Sequence, residues 1–573
     1  MAKNNYANYT HAQLVEELKK LNKRKKYGLV WEEEKTKEKF EAEAEGKLPI
    51  LTEDKKREIN GDTKNPTHIL IEGDNYHALS VLNYTHAKSI DVMYFDPPYN
   101  TGSNDFKYND KFVDDEDSFR HSKWLSFMNK RLKLAKNLLK DTGVIFISID
   151  DNEIGQLRLL CNEIFYEKND LGITVRVSNS AKNNSNNISI THDYCLVYAK
   201  NKEKLSKNWI VPKNNWKEFR RISQRLYKKD VSIEQIEEEL KILTKYPRFY
   251  DFDHYYYCDN IDVYRTDNPG GVKSGNLVTD IIHPTTMKPC KKPSGGWRYS
   301  EATIKDMSKN NLWHFGVDEN TIPAPKRYLK DYLFQKPNGI QFYDQQIDTK
   351  WFKKLNLNFD NPKPVEYIKQ LIRMTGIKDG YVLDIFGGSG TTGHAVLELN
   401  KEDDGKRQFI LCTNDEGNIC TEVCYPRVKK AIEGYKSEAN KIEGLGGNLK
   451  YYKTNFVGSE PTHRNKKLLT EKSIEMLCIR ENTFVEVLSK KAIFIFKNEK
   501  KYTAILFEEM KMDEFKKEIK KLKLPVSVYV FSLEGDDFSE DFEDIKNDIT
   551  LCSIPEAILK VYRRIYETAK PKK

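Results

Sequence analysis

The chain has 573 residues, 38% hydrophobic and 32% charged, which is too long for one ordinary core and calls for two or more globular domains. Its 95 basic and 86 acidic side chains leave a net charge of +9, a balance that permits a nucleic-acid partner without requiring one. No apolar run reaches the ~18 residues that span a bilayer, and the polar opening MAKNNYANYT lacks a signal-peptide core, so a cytoplasmic location with no membrane association is expected.

Residues 1–60 read as a helical segment, with Leu14, Leu18 and Leu21 at helical spacing and a basic cluster, Lys23–Lys26, that reads as a solvated helix end. The next unit, 61–200, opens with THILIEGDN, a strand ending at Gly73-Asp74-Asn75, then a helix over NYHALSVLNYT and a strand ending at Asp96. Residues 117–140 place Leu125, Met128, Leu132, Ala135 and Leu139 on one helical face, with Gly143 as the cap beyond it. VIFISID is a further strand and EIGQLRLLCNEIF a further helix. This alternation predicts a parallel α/β sheet with crossover helices.

Over 201–350 the alternation fades into basic, aromatic and Gly/Pro/Lys-rich stretches, which predicts an insertion with its own task. Within it SIEQIEEELKIL reads as a helix, FYDFDHYYYC as core, and KPCKKPSGGWRYS and APKRYLKD as candidate phosphate or base contacts. The Asn-rich stretch 179–190 reads as a mobile loop. Alternation returns over 351–455, and 456–573 reads as a separate α+β piece with strands AIFIFKN, YTAILFEE and VSVYVFSL. The tightest cysteine group, Cys412, Cys420 and Cys424, lacks Cys-x-x-Cys spacing, so reduced thiols and no metal site are expected.

Two motifs carry chemistry. In YVLDIFGGSGTTGHA a strand ends at Asp384, a glycine-rich turn follows, and a helix starts near Thr391, a setting in which backbone N–H groups and a helix N-terminus favour a nucleotide-like ligand. The pattern is Phe386-x-Gly388-x-Gly390, not the dinucleotide Gly-x-Gly-x-x-Gly, and no Gly-Lys-Ser/Thr follows. In SIDVMYFDPPYN an apolar strand ends in Asp96-Pro97-Pro98-Tyr99. A strand-end carboxylate accepts hydrogen bonds, prolines leave carbonyls as acceptors, and an aromatic ring stacks. Together these suit a planar substrate with an exocyclic amine, and a nucleobase is one.

DPPYNTG followed by DIFGGSGTTG resembles the amino-methylating DNA methyltransferases, with the tetrapeptide 290 residues ahead of the cofactor loop (386 − 96). That permuted order resembles the β group, in which the target-recognition domain lies between the two motifs. KKYGLVWEEE, IEGDNYHALSVL, ISIDDNE and HDYCLVYAKN extend the likeness to the modification subunits of type III restriction–modification systems. Gly387 stands where the family commonly has Ala, and the chain is short for such a subunit.

The resemblance implies a Rossmann-like α/β sheet with an inserted target-recognition domain and a small α+β C-terminal domain. It implies S-adenosylmethionine as cofactor, with Asp96 and the Pro97 carbonyl receiving the N–H bonds of a flipped-out adenine and Tyr99 stacking on it. Phe386, Gly388, Gly390 and Thr391 would cradle the cofactor above Asp384. Asp74 with Asn75, and Glu416 or Asp415, are candidates for its ribose and adenine, and Lys363 with Pro364 for its methionine end. Double-stranded DNA, a second copy of the chain and a restriction subunit are the implied partners. Cytosine-N4 methylation and a DNA-binding specificity subunit without catalysis remain as alternatives.

Overall fold

The computed structural model describes the chain apart from residues 1–8, 23–28, 32–37, 39–45, 103–104, 109–110, 179–186, 229–230, 272–274, 344–345, 356, 360, 437–440, 461, 534–535, 547 and 570–573. The Lys23–Lys26 cluster and most of the Asn-rich 179–190 stretch lie outside the described residues. The chain forms two compact units, one of residues 1–207 with 344–573 and one of residues 208–343. The second unit falls within the 201–350 stretch.

The first unit is built on a twisted sheet of β1 (Lys47–Glu53), β2 (Thr67–Glu72), β3 (Ile90–Phe95), β4 (Leu139–Ile149), β5 (Asp170–Val177), β6 (His192–Ala199), β7 (Asp379–Asp384), β8 (Lys406–Thr413) and β9 (Asn448–Gly458). Their spatial order is β1-β9-β2-β8-β7-β3-β4-β6-β5. Strands β9 to β4 run parallel, while β1, β6 and β5 add antiparallel pairs at the two sides. Val92, Met93, Tyr94 and Phe95 are all buried. A central parallel strand is covered on both faces, which is why this one reads as an unbroken apolar run.

Three expectations change. The 1–60 segment is helical at His11–Asn22, but Lys47–Glu53 is the edge strand β1, in register with β9 from Lys47 opposite Gly458 to Glu53 opposite Tyr452. Pro49 disguised it: proline has no N–H for a ladder and is tolerated on an edge, while Leu48, Ile50 and Leu51 beside it are buried. The long helix ends at Leu138 and the chain turns extended at Leu139, so Gly143 lies inside β4 rather than at a cap. A Cβ there would stand 2.9 Å from the Ile90 carbonyl oxygen, so the glycine permits the close approach of β4 to β3.

The C-terminal piece is not separate. Its five strands, Val485–Ser489, Ile493–Lys497, Tyr502–Leu506, Val526–Phe531 and Ile549–Ile554, form their own sheet in that order. Yet Ile505, Tyr529, Ile558, Tyr562 and Ile565 join one core with Leu79 and Leu82 of the helix Asn75–Thr85. The acidic loop also hides two aromatic anchors, since Phe538 and Phe542 are buried in the piece's own core.

The second unit holds a small sheet ordered Tyr257–Cys258, Val263–Thr266, Ala324–Tyr328, Trp313–His314 and the helices Trp216–Tyr227, Ile233–Leu243 and Glu301–Lys309. SIEQIEEELKIL is a helix with a capping box between Ser232 and Gln235. Phe249, Phe252 and Tyr255 are buried, with Phe252 stacked on Phe219 at 4.2 Å between ring centroids, so FYDFDHYYYC is mainly core. Lys326 is paired with Asp259 and Arg327 with Asp267, which binds part of APKRYLKD internally.

Candidate active site

Strands β7 and β3 are parallel neighbours, with Leu383 opposite Met93. From β3 the chain moves to β4 on one side, and from β7 to β8 on the other. Between the C-terminal ends of two such strands a parallel sheet opens a crevice. Both motifs, 290 residues apart in sequence, end there.

Asp96 follows β3 directly. Its carboxylate accepts hydrogen bonds from Lys363 Nζ at 2.7 Å (Oδ1) and 2.9 Å (Oδ2) and from the Tyr99 hydroxyl at 2.9 Å. Lys363 Nζ also donates to the Tyr99 oxygen at 2.6 Å. Burial, reinforced by the Asp96 carboxylate, raises the Tyr99 phenol well above its usual range, so it stays a protonated donor. The Pro98 carbonyl accepts a bond from Trp124 Nε1 at 2.7 Å. Next in the chain, Asn100 takes a left-handed φ of 59° and donates to Glu153 Oε1 at 2.6 Å, 2.7 Å from His121 Nδ1. Burial raises the Glu153 carboxyl against the pull of Asn100 and His121. The loop after the tetrapeptide is thereby clamped on both sides.

A buried ion pair adjoins it. Arg176 and Asp193 face each other across the β5–β6 ladder, with Nε–Oδ1 at 2.8 Å and Nη2–Oδ2 at 2.7 Å. Their side chains are 1% and 2% exposed, and Asp193 Oδ2 lies 3.8 Å from Lys363 Nζ.

At the end of β7, Asp384 is buried. Its carboxylate accepts from Phe386 N at 2.9 Å and Thr392 Oγ1 at 2.6 Å, and burial pushes its carboxyl up to about 7. It braces the turn from below. Gly388 and Gly390 have φ of 44° and 75°, the left-handed region that only glycine enters freely. Gly390 precedes the helix Thr391–Asp403. The Thr391 hydroxyl is 2.9 Å from Ser389 Oγ and accepts from the buried Arg427 at 2.6 Å, so that side chain anchors the loop from behind. The Phe386 ring packs edge-on against Phe95 at 5.8 Å.

At the end of β2, Asp74 caps the helix Asn75–Thr85 by accepting from Tyr76 N at 2.8 Å. Asn75 donates to the Ile385 carbonyl at 3.3 Å and accepts from Arg131, which ties the end of β2 to the cofactor-loop strand. Glu416 is half exposed and paired with Lys107, whereas Asp415 is held by Thr421. Lys363, expected at the methionine end of a cofactor, is bonded instead to Asp96 and Tyr99. Carboxylates at the neighbouring strand ends, which accept from hydroxyl and amino groups, and the backbone N–H groups of the glycine turn, which donate, fit a nucleoside-like cofactor.

Several site residues escaped the sequence reading. Trp124, Phe127 and Arg131 lie on one face of the helix Arg120–Leu138, at i, i+3 and i+7. They reach Pro98, Phe386 and Asn75 respectively. The apolar periodicity of that helix marked the adjoining stripe of Leu125, Met128 and Leu132. Arg176 and Asp193 left only a weak trace, opposite charges at matching places in two strands. Among the described residues, Glu366, Glu398 and Glu402 converge as an acidic group, but Lys369 and Arg373 are bonded into it. No described helix is long and apolar enough to cross a membrane.

Residues 90–423, more than half of the chain, match the family model described as DNA methylase, N6_N4_Mtase. The chain is 36% identical over 403 residues to the type III restriction-modification enzyme EcoP15I Mod subunit of Escherichia coli, covering 64% of this chain and 61% of that protein. It is 34% identical over 408 residues to the StyLTI Mod subunit of Salmonella typhimurium, covering 65% and 56%. Against the type II methyltransferase M.KpnI of Klebsiella pneumoniae it is 31% identical over 411 residues, covering 69% and 89%. The match to the two Mod subunits thus spans about three fifths of their length. With both motifs meeting at one switch point of the sheet and the family model spanning them, this chain belongs to the N6_N4_Mtase family of DNA methylases.

Proposed function

We propose that this protein transfers a methyl group from S-adenosylmethionine to the N6 of an adenine flipped out of double-stranded DNA, as the recognition and modification subunit of a type III restriction–modification system. The observation that carries this reading is the convergence of Asp96–Tyr99 and the Phe386–Gly390 turn at adjacent strand ends. Likeness to the Mod subunits supports the type III role, and Asp at position 96 supports adenine over cytosine by family resemblance. A restriction subunit and a second copy of the chain are the partners of this reading. The unit 208–343 supplies target recognition in it.

Bound there, S-adenosylmethionine would supply a methyl group activated by its sulfonium, the C–S electron pair staying on sulfur. Phe386, Gly388 and Gly390 shape the place for it, with Asp384 and Thr391 bracing the turn and Asp74, Asn75 and Glu416 at the neighbouring strand ends. Asp96 and the Pro97 carbonyl accept the two N–H groups of the base. Both acceptors draw the nitrogen toward tetrahedral geometry and free its lone pair to form the N–C bond with the methyl group that the cofactor would present. Tyr99 holds the ring of the base by stacking. The methylated nitrogen then sheds one proton, which Asp96, 27% exposed, accepts and passes to solvent. Positioning of this kind supplies several kcal/mol. Base flipping is required because the amine cannot be reached within the stack.

The test is nucleoside mass spectrometry of duplex DNA after incubation with the purified chain and isotope-labelled S-adenosylmethionine. Labelled N6-methyladenine, absent with Asp96→Ala, is expected. Labelled N4-methylcytosine would move the reading to the alternative base, and cofactor binding without labelled product would leave a specificity subunit.

A further inference from the structure

Lys363 is out of place for a residue that merely lines a cofactor. Its ammonium has three N–H groups, and three oxygens stand within 2.9 Å: both of Asp96 and the hydroxyl of Tyr99. The side chain is 11% exposed, and its Nζ sits 4.8 Å from the centre of the Tyr99 ring. A nitrogen donor therefore already occupies the Asp96 carboxylate at the edge of the ring expected to stack on a base. This is the place that the substrate amine needs.

We propose that Lys363 is a placeholder for the substrate amine, a positioning residue that holds Asp96 and Tyr99 while no base is present and yields when the flipped base arrives. The inference rests on the methyltransferase reading above. Asp193 Oδ2, 3.8 Å from Nζ, receives the displaced ammonium. Asp193 already carries Arg176 on both oxygens, but a carboxylate has about four acceptor directions, so it can take a second cation. A swing of about an ångström exchanges one carboxylate for the other without stranding the charge. The placeholder has two consequences. It keeps Asp96 and Tyr99 in one arrangement before substrate binds, and it competes with the base for Asp96.

Two substitutions separate these consequences from simple structural support. Lys363→Met keeps the length of the side chain and removes the donor. Lys363→Arg keeps the charge and adds a planar fork that grips a carboxylate in two places. The readout is fluorescence of 2-aminopurine placed next to the target adenine in a duplex carrying the methylated motif, which brightens when that adenine leaves the stack, beside the dissociation constant for S-adenosylmethionine and the single-turnover methylation rate. Lys363→Met is expected to raise the flipped-base signal about threefold or more and to lower the methylation rate about tenfold. Lys363→Arg is expected to lower the flipped-base signal. Cofactor affinity stays within about twofold in both, and in an Asp96→Asn background Lys363→Met changes the signal little.

A tenfold loss of cofactor affinity with an unchanged flipped-base signal would overturn the proposal and return Lys363 to the cofactor. Parallel losses in both variants would also overturn it, leaving only a structural role. Failure of the wild-type chain to methylate any DNA would instead strike the methyltransferase reading itself.

Discussion

Replacing Arg176 with Met tests how the site is supported. The pair Arg176–Asp193 is bidentate, with contacts of 2.8 and 2.7 Å, and both side chains are at most 2% exposed. Removing the guanidinium leaves the Asp193 carboxylate buried, with Lys363 Nζ 3.8 Å away. Breaking one half of a buried pair typically costs ~3–5 kcal/mol, while replacing both halves by apolar groups is often near neutral. Arg176→Met is therefore expected to lose about 3 kcal/mol or more, and Arg176→Met with Asp193→Leu about 1 kcal/mol or less. At a urea slope of about 3 kcal/mol per molar, the single variant's midpoint falls by roughly 1 M or more. Urea unfolding followed by circular dichroism measures both. A single-variant loss below about 1 kcal/mol, or a double variant as unstable as the single, would refute the reasoning.

Three further outcomes are expected. The Asp384 carboxyl, pushed up to about 7 by burial from an ordinary 3.8, holds its proton more tightly folded than unfolded. Its contribution is thus fully present at low pH and lost as pH rises from about 4 through about 7. Asp384→Asn should gain on the wild type in urea midpoint between pH 5 and pH 8, and a gap independent of pH would contradict this. Arg427 grips Thr391 and Ser389 behind the cofactor turn, so Arg427→Met should raise the KM for S-adenosylmethionine about tenfold with a smaller change in kcat. Steady-state kinetics decide, and a fall in kcat alone would place Arg427 elsewhere in the mechanism. Tyr99→Phe keeps the ring and loses the hydroxyl, so its methylation rate should fall about tenfold. Tyr99→Ala also loses base stacking worth ~1–3 kcal/mol and should fall at least a further fivefold; equal losses would remove stacking from the account.

The central sheet was legible because its signals are local. β3 is apolar from Val92 to Phe95 and stops at a carboxylate and two prolines, and the turn after β7 is rich in glycine; both features follow from the C-terminal edge of a parallel sheet. β1 was hidden by Pro49, whose defect matters only in a central strand. The C-terminal piece read as separate because its strands satisfy their own ladder. Its attachment, through Tyr529, Ile558 and Tyr562, depends on shape and leaves no pattern in composition. At the site, Asp96 and Tyr99 were visible as residue types out of place in a strand ending. Lys363 was placed near the site, but the carboxylate that it serves was settled by the fold across 267 residues. Trp124 and Arg131 were missed because they sit beside the apolar stripe of their helix, and hydrophobic periodicity does not report the polar atoms that buried side chains turn toward a site.

The most direct test is modification-sensitive long-read sequencing of DNA from cells expressing this chain, beside cells expressing Asp96→Ala. N6-methyladenine confined to one short motif and absent from the variant is the predicted result. An unmodified genome in both strains, or a modified motif that survives Asp96→Ala, would contradict the assignment of this site to methyl transfer.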